Sequence, residues 1–278
     1  MNDLINPEDL VQQLDVVQVF EVGAKTAQPI QAAKAKGLYN NAHIPTAQYV
    51  NLIQDFCNLR TSLEYQHPNE TEMLQSLHKF QVDWDKPIVI YDRENHIWAA
   101  RLFWIFKAFG HQHVHVLHGG FQSWQQQNFS VSDQIKHPKT SLNAAQMKFD
   151  STFFADIEEV KNVVEGRSNS QLLNVLRPDV FRGDELRYSR AGHIPDSINI
   201  PFAEFLDETG KFKASILNFV AHLGLDLNRE IIIYCGSGIT ASGAALALRQ
   251  AQTTSIKIYD GSMSEWSADP NLPLQMMV

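Results

Sequence analysis

Residues 231–241 read IIIYCGSGITA, and this stretch joins the pattern of a buried strand to a tight loop and then to a helix. Three isoleucines and a tyrosine favour a short strand covered on both faces. Two glycines follow Cys235, and the alanine-rich run from Ala241 to Arg249 predicts a helix. In an open parallel sheet, ligands bind beyond the carboxyl ends of the strands. The sequence therefore predicts a functional site at Cys235.

An earlier part of the chain repeats this pattern. The apolar run Ile88–Tyr91 corresponds to Ile231–Tyr234, and the tripeptide His-Ile-Pro at 43–45 returns at 193–195. A long-period repeat fixes the architecture before any single motif is considered. Short β-branched runs alternate with helix-length segments in both copies. The predicted fold class is therefore α/β, with two tandem domains, each a mainly parallel sheet flanked by helices.

The predicted domains are residues 1–135 and 150–278, each long enough to bury a core of its own. Residues 132–150 are polar and show no clear apolar period, so they are predicted to be the connector.

Composition excludes several classes of partner. The net charge of -8, from 31 acidic and 23 basic side chains, would repel a phosphate backbone, so we expect no nucleic acid partner. No apolar run approaches the roughly 18 residues of a membrane span, and the first residues lack the basic and apolar regions of a signal peptide. We therefore expect a cytoplasmic protein with no membrane partner.

The chemistry predicted at Cys235 is that of a thiolate nucleophile. Backbone amides and a helix N-terminus lower the pKa of a thiol, and the hydroxyls of Ser237 and Thr240 add donors. Gly236 and Gly238 would supply positive φ angles for an anion-binding loop. This site needs no metal and no organic cofactor. The alternative is a small buried cysteine at a strand end, which is also our interpretation of Cys57.

These residues resemble the rhodanese family, specifically its tandem-domain thiosulfate and 3-mercaptopyruvate sulfurtransferases. The segment YDREN at 91–95 is similar to the cysteine-less first domain of that family, and CGSGITA at 235–241 is similar to the active loop of the mercaptopyruvate type. Asp92 takes the place of the nucleophile in the first half. The resemblance implies a catalytically silent first domain and a catalytic second domain with Cys235.

The resemblance also implies a reaction. Cys235 would take sulfur from a small-molecule donor as a persulfide and pass it to cyanide or a thiol, including that of a thioredoxin-like protein. Ser237 would polarise the donor, and a persulfide loop of four residues would hold the anion: Gly236, Gly238, Ile239 and Thr240. Thiosulfate-preferring relatives tend to carry basic side chains in this loop, and this chain has none. We therefore expect 3-mercaptopyruvate as donor, with thiosulfate as the second choice.

The chain departs from the family pattern before its second His-Ile-Pro motif. Asn174, Leu176 and Val180 stand where relatives usually have Asp, Arg and a substrate-binding Arg. We expect Arg187 and Arg190 to bind the substrate carboxylate instead. The alternative is that the arginines of this segment form a solvated, salt-bridged surface.

His43 matches a family histidine with a supporting catalytic role, so it is a candidate supporting residue. The alternative is a structural histidine, because His193 repeats the same motif in the other half. The family's associated first-domain carboxylate has no match in residues 32–39.

The alternatives to a sulfurtransferase are a cysteine phosphatase and a persulfide carrier. A cysteine phosphatase needs an arginine six residues after its nucleophile, and Ala241 occupies that position. A persulfide carrier without turnover, with an altered donor pocket, stays open as the alternative to an enzyme.

Overall fold

The computed structural model describes residues 3–23, 29–135, 147–250 and 255–277. It forms two compact units, Met1–Asp150 and Ser151–Val278. Of the predicted connector, residues 136–146 lie outside the described residues. Its described ends hydrogen-bond to the first unit: Ser132 pairs with His43 through two backbone bonds of 2.8 and 2.9 Å, and the Asp150 amide donates to Ala108 at 2.7 Å.

The first unit alternates strands and helices along the chain. Its strands are β1 (Leu4–Ile5), β2 (Gln18–Gly23), β3 (Gln48–Asn51), β4 (Ile88–Tyr91) and β5 (Val114–Leu117). Its helices are α1 (Pro7–Leu10), α2 (Pro29–Asn41), α3 (Leu52–Phe56), α4 (Glu70–Lys79), α5 (Ile97–Ala108) and α6 (Gly120–Gln126).

The second unit repeats the alternation. Its strands are β6 (Phe154–Ala155), β7 (Gln171–Asn174), β8 (Ser197–Asn199), β9 (Ile231–Tyr234) and β10 (Ile256–Tyr259). Its α-helices are α7 (Ile157–Val164), α8 (Pro178–Arg182), α9 (Ile216–His222), α10 (Ile239–Gln250) and α11 (Ser262–Trp266). Two 3-10 turns, Ser151–Phe153 and Phe202–Phe205, complete it among the described residues.

Both units contain the same parallel sheet. Within the described residues, the strand orders are β1-β5-β4-β2-β3 and β6-β10-β9-β7-β8, which are one arrangement used twice. Every strand pair in the two sheets is parallel. Helices connect the strands, as parallel pairing requires. The predicted fold class, α/β with two tandem domains that each contain a parallel sheet flanked by helices, is confirmed.

The central strand of each sheet ends in a buried tyrosine that also anchors the repeated motif. All four residues of β4 and all four of β9 are buried between neighbouring strands. The hydroxyl of Tyr91 accepts from the Ile44 amide at 3.1 Å, and that of Tyr234 accepts from the Ile194 amide at 3.2 Å. The residue after each tyrosine is thus fixed at the carboxyl edge of its sheet, where sites form.

Among the described residues, no helix combines the length and the hydropathy that a transmembrane segment needs.

Candidate active site

Cys235 is the first residue after β9, its side chain is buried and its backbone is held by hydrogen bonds. The residue is only 2% exposed. Its carbonyl accepts from the Met263 amide at 3.1 Å, which ties it to the start of α11. Its neighbour Gly236 is held in the same way, because the Gly236 carbonyl accepts from the amide of Ser264 at 2.9 Å and from its hydroxyl at 2.7 Å.

Ser262 holds the backbone of this loop through its hydroxyl, a role that sequence reasoning missed. Its Oγ accepts from the amides of Cys235 and Gly238, both at 3.2 Å, and donates to the carbonyl of Tyr259 at 2.8 Å. Ser262 is fully buried and has a φ of 50°, a left-handed conformation that non-glycine residues rarely adopt. Strain of this kind persists where surrounding structure enforces it, here three hydrogen bonds of one hydroxyl.

Glycine is needed at the two loop positions for different physical reasons. This corrects the expectation that both glycines supply a positive φ. Gly238 has a φ of +79°, as expected. Gly236 is not among the positive-φ residues of the chain. A Cβ at Gly236 would instead lie 2.2 Å from the hydroxyl oxygen of Tyr188. Gly236 is therefore required for space.

The loop leads into α10, whose N-terminus follows Cys235 closely. The first bond of this helix that reaches back to the loop runs from the Ser242 amide to the Gly238 carbonyl at 3.1 Å. The amides of Ile239, Thr240 and Ala241 precede it, so they have no acceptor within the helix. Ile239 is buried, while Ser237 and Thr240 are half-buried. The loop amides and the hydroxyls of Ser237 and Thr240 thus belong to the segment between Cys235 and the first turn of α10, and their contact with the sulfur stays a prediction.

The first unit shows what this architecture does with an anion. Asp92 follows β4 as Cys235 follows β9, and the Phe121 amide holds its carbonyl at 3.0 Å as Met263 holds that of Cys235. The Asp92 carboxylate accepts four backbone amides at 3.0 to 3.2 Å, those of Glu94, His96, Trp98 and Ala99. Burial raises the pKa of Asp92, and the amide bonds oppose that shift. The loop type is therefore an anion cradle.

Two arginines of the divergent segment lie in surface ion pairs. Arg177 donates twice to Glu185, at 2.7 and 2.9 Å. Arg182 contacts both Asp179 and Asp184. For these two residues the structure agrees with the salt-bridged alternative. Exposed pairs of this kind contribute little to stability.

Arg190 has a structural role, which corrects its assignment as a substrate-binding residue. Its guanidinium donates to four backbone carbonyls between Trp266 and Leu272, including Ser267 and Leu272 at 2.9 Å each. Four bonds leave little of its five-donor fork for a carboxylate. The arginine holds the segment after α11 in place.

Arg187 is differently placed. Its side chain is exposed and lies close to that of Tyr188, whose hydroxyl lies against Gly236. Arg187 thus neighbours Tyr188, which lies against the Cys235 loop, and its role in substrate binding stays a prediction. Tyr188 was missed, although its position between Arg187 and Arg190 was the available signal.

Asn174, Leu176 and Val180 stand at the three positions that depart from the family pattern. Two of these side chains are apolar and one is an amide, and the structure accounts for each. Val180 is buried, and Leu176 packs against the core of the second unit. Asn174 is fully buried at the end of β7, where its Oδ1 accepts from the Leu176 amide at 2.9 Å and from Asn199 Nδ2 at 3.0 Å.

His43 and His193 make the same contacts, which supports the structural alternative for His43. His43 Nδ1 donates to the Tyr39 carbonyl at 2.8 Å, and its ring stacks on Tyr39. His193 Nδ1 donates to the Phe181 carbonyl at 2.7 Å, and its ring stacks on Phe181. Burial lowers the pKa of His193, which favours the neutral ring.

Neither cysteine forms a disulfide, and both are buried. Cys57 follows α3 in the first unit, without a glycine loop or a long helix after it. In the portions of the chain that the structure describes, no cluster of His, Cys, Asp or Glu side chains could hold a metal ion.

The sequence matches the rhodanese-like domain twice, over residues 9–127 and 156–269, one match in each unit. The chain belongs to the rhodanese family. The second match contains the Cys235 loop and the first contains Asp92.

Curated rhodanese relatives align over most of the chain. The 3-mercaptopyruvate sulfurtransferase of Homo sapiens is 32% identical over 241 residues, which cover 84% of this chain and 79% of that protein. The thiosulfate sulfurtransferase of Gallus gallus is 30% identical over 243 residues, which cover 86% and 83%. Relatives named for both donors thus have similar identity to this chain.

Solved structures agree on the fold. SseA from Escherichia coli, titled a 3-mercaptopyruvate sulfotransferase with the rhodanese fold, is 26% identical with a TM-score of 0.79, and the match covers 95% of this chain and all of that one. EanB in complex with ergothioneine is 22% identical with a TM-score of 0.86, covering this whole chain and 70% of EanB. At that identity the EanB match shows the fold alone.

Proposed function

We propose that this chain is a sulfurtransferase that carries sulfane sulfur as a persulfide on Cys235. The observation that carries the proposal is the pair of equivalent loops. In the first unit the loop holds a carboxylate through four backbone amides. In the second unit a cysteine stands at the equivalent place before α10. In the proposed reaction, the backbone amides of the second loop hold the sulfur that Cys235 carries, as those of the first loop hold the Asp92 carboxylate.

The proposed donor is 3-mercaptopyruvate. The Cys235 thiolate attacks the donor sulfur, an S–S bond forms, and the C–S bond breaks with its electron pair passing to the enolate of pyruvate, which then takes up a proton. Ser237 polarises the carbonyl and the loop amides hold the persulfide. An acceptor thiolate or cyanide then attacks the outer sulfur and restores the Cys235 thiolate. This is covalent catalysis in two half-reactions.

Two features support this donor over thiosulfate. The loop from Cys235 to Ala241 contains no basic residue to neutralise a dianion. The exposed Arg187, next to the loop through Tyr188, can meet the single carboxylate of the donor. A small thiol or a thioredoxin-like dithiol is the proposed acceptor.

The test is steady-state turnover with each donor, with a dithiol or cyanide as acceptor. We expect continuous pyruvate release from 3-mercaptopyruvate, and slower transfer from thiosulfate. Cys235→Ser should abolish transfer, whereas the matched variant Cys57→Ser should keep it. Activity in Cys235→Ser would refute the proposal, and faster transfer from thiosulfate would refute the choice of donor. Loading of one sulfur per chain without turnover would favour the persulfide carrier.

A further inference from the structure

The phenol of Tyr188 fills the space beside the nucleophile that a side chain at residue 236 would take. An ideal Cβ on Gly236 would lie 2.2 Å from the Tyr188 hydroxyl oxygen and 2.9 Å from its Cζ. Real Cβ atoms essentially never lie within 3.0 Å of another heavy atom, so a side chain at residue 236 would have to displace Tyr188. The hydroxyl therefore sits against the backbone of the residue that follows Cys235.

Tyr188 is held in this position from two sides. Its ring packs on the buried core of the second unit, which contains Tyr234 at the end of β9. The Arg187 guanidinium lies close to its hydroxyl, and since a guanidinium only donates, the phenolic oxygen is the atom that can accept from it. The phenolic proton then remains for a second partner on the side of the loop.

The charges around the hydroxyl favour a neutral phenol. Burial first, and the charge of Cys235 second, raise the pKa of Tyr188 to about 12, while Arg187 and Arg177 act in the opposite direction. Tyr188 therefore remains an O–H donor throughout the range in which a cysteine thiolate forms. The hydroxyl thus has the Arg187 guanidinium and Cys235 as its charged or ionisable neighbours.

We propose that the Tyr188 hydroxyl donates a hydrogen bond to the sulfur carried on Cys235, and that Arg187 behind it supplies the positive charge that the loop itself lacks. The inference rests on the proposed sulfur transfer and adds a catalytic residue to it. In this proposal, the two residues bind different groups of a three-carbon thio acid. Tyr188 hydrogen-bonds the sulfur, and the exposed Arg187 binds the carboxylate.

The first test is the rate at which Cys235 is alkylated by iodoacetamide at different pH values, measured in the Cys57→Ser background so that one thiol remains. Tyr188→Phe keeps the ring and its packing but removes the donor. Charged groups gain more from a hydrogen bond than neutral ones do. We expect the midpoint of the pH profile to move about one unit upward, with about tenfold slower alkylation at neutral pH.

Turnover separates the roles of the two residues. Tyr188→Phe should lower kcat about tenfold with 3-mercaptopyruvate at a nearly unchanged KM. Arg187→Ala should mainly raise KM for this donor, and Arg187→Lys should restore part of the loss. Because Tyr188→Phe preserves the apolar contacts, its denaturant unfolding should match that of the parent and show that the fold is intact.

The geometry is tested by a double-mutant cycle. Gly236→Ala should reduce alkylation and turnover strongly when Tyr188 is present, and much less in a Tyr188→Ala background, where the space is free. Additive effects would overturn the placement of Tyr188. An unchanged alkylation profile in Tyr188→Phe would overturn the inference even if sulfur transfer is efficient. Absent turnover with a shifted profile would refute the proposed function, while still showing that the Tyr188 hydroxyl hydrogen-bonds the Cys235 sulfur.

Discussion

The smallest feature that matters in this chain is one hydroxyl. Ser262 Oγ accepts from the amides of Cys235 and Gly238 and donates to the Tyr259 carbonyl, all within a fully buried site. Buried amides that lose their acceptor are costly because water cannot replace it. The residue thus couples the nucleophile loop after β9 to the turn after β10.

Ser262→Ala should destabilise the protein and slow sulfur transfer. Two buried amides would lose their acceptor, at a cost of about 1 to 3 kcal/mol. Ser262→Gly should lose about 1 kcal/mol less, because glycine relieves the left-handed strain at φ 50°. Urea unfolding of the variants gives both values.

The matched control is Ser264→Ala. Ser264 is exposed, and its hydroxyl shares the Gly236 carbonyl with its own amide, which remains in the variant. Its free energy of unfolding should change by less than about 1 kcal/mol. Equal stability of Ser262→Ala and the parent would contradict the role assigned to this hydroxyl.

At the scale of elements, both units contain the same strand, loop and helix, but the loop begins with Asp92 in the first unit and with Cys235 in the second. The residue that precedes α5, His96, is left-handed and gives the helix no side-chain cap. Asp92, four residues earlier, takes over this task because its Oδ2 accepts from Trp98 and Ala99 in the first turn. The carboxylate also complements the positive end of the helix dipole.

Asp92→Asn should therefore destabilise the first unit. An amide group can accept through one oxygen only, so its NH₂ would face two of the four backbone donors. We expect a loss of about 2 to 4 kcal/mol in the free energy of unfolding, measured by urea titration. Asp9→Asn, on the exposed side of α1, is the control and should change stability by less than about 0.5 kcal/mol. A neutral effect of Asp92→Asn would argue against the cradle.

At the scale of the whole molecule, the two units have separate cores and can be followed separately. Four of the five tryptophans, at positions 84, 98, 104 and 124, lie in the first unit, and the fifth is Trp266 in the second. Tryptophan fluorescence therefore reports mainly on the first unit. One of its probes, Trp84, contacts the ring of His111.

The first unit should lose stability in acid through His111. Burial, and then the charges of His113 and Lys107, lower the pKa of His111 from 6.5 to about 4. The unfolded chain then binds the proton more readily than the folded unit. The stability contributed by the neutral ring is complete above pH 6.5 and is lost as pH falls toward 4, by up to about 3 kcal/mol.

His111→Phe keeps an aromatic ring against Trp84 and cannot titrate. Its free energy of unfolding, followed by fluorescence, should fall less than that of the parent between pH 6.5 and 4. The same pH dependence in both proteins would show that another group governs acid unfolding.

The sequence by itself determined the repeat, the parallel α/β class and the position of Cys235. These properties follow from local patterns: hydrophobic runs, helix periodicity and a glycine loop between them. The likeness of His43 and His193 was also visible, since a repeated motif implies a repeated contact.

Only the tertiary structure decided which distant side chains contact the Cys235 loop. Arg190 was a reasonable carboxylate ligand by charge and spacing, but its donors are taken by backbone carbonyls after α11. Ser262 and Tyr188 reach the loop from other connections at the carboxyl edge of the sheet. Such meetings depend on strand order and packing, which bring together segments that are far apart in the chain and carry no local signal.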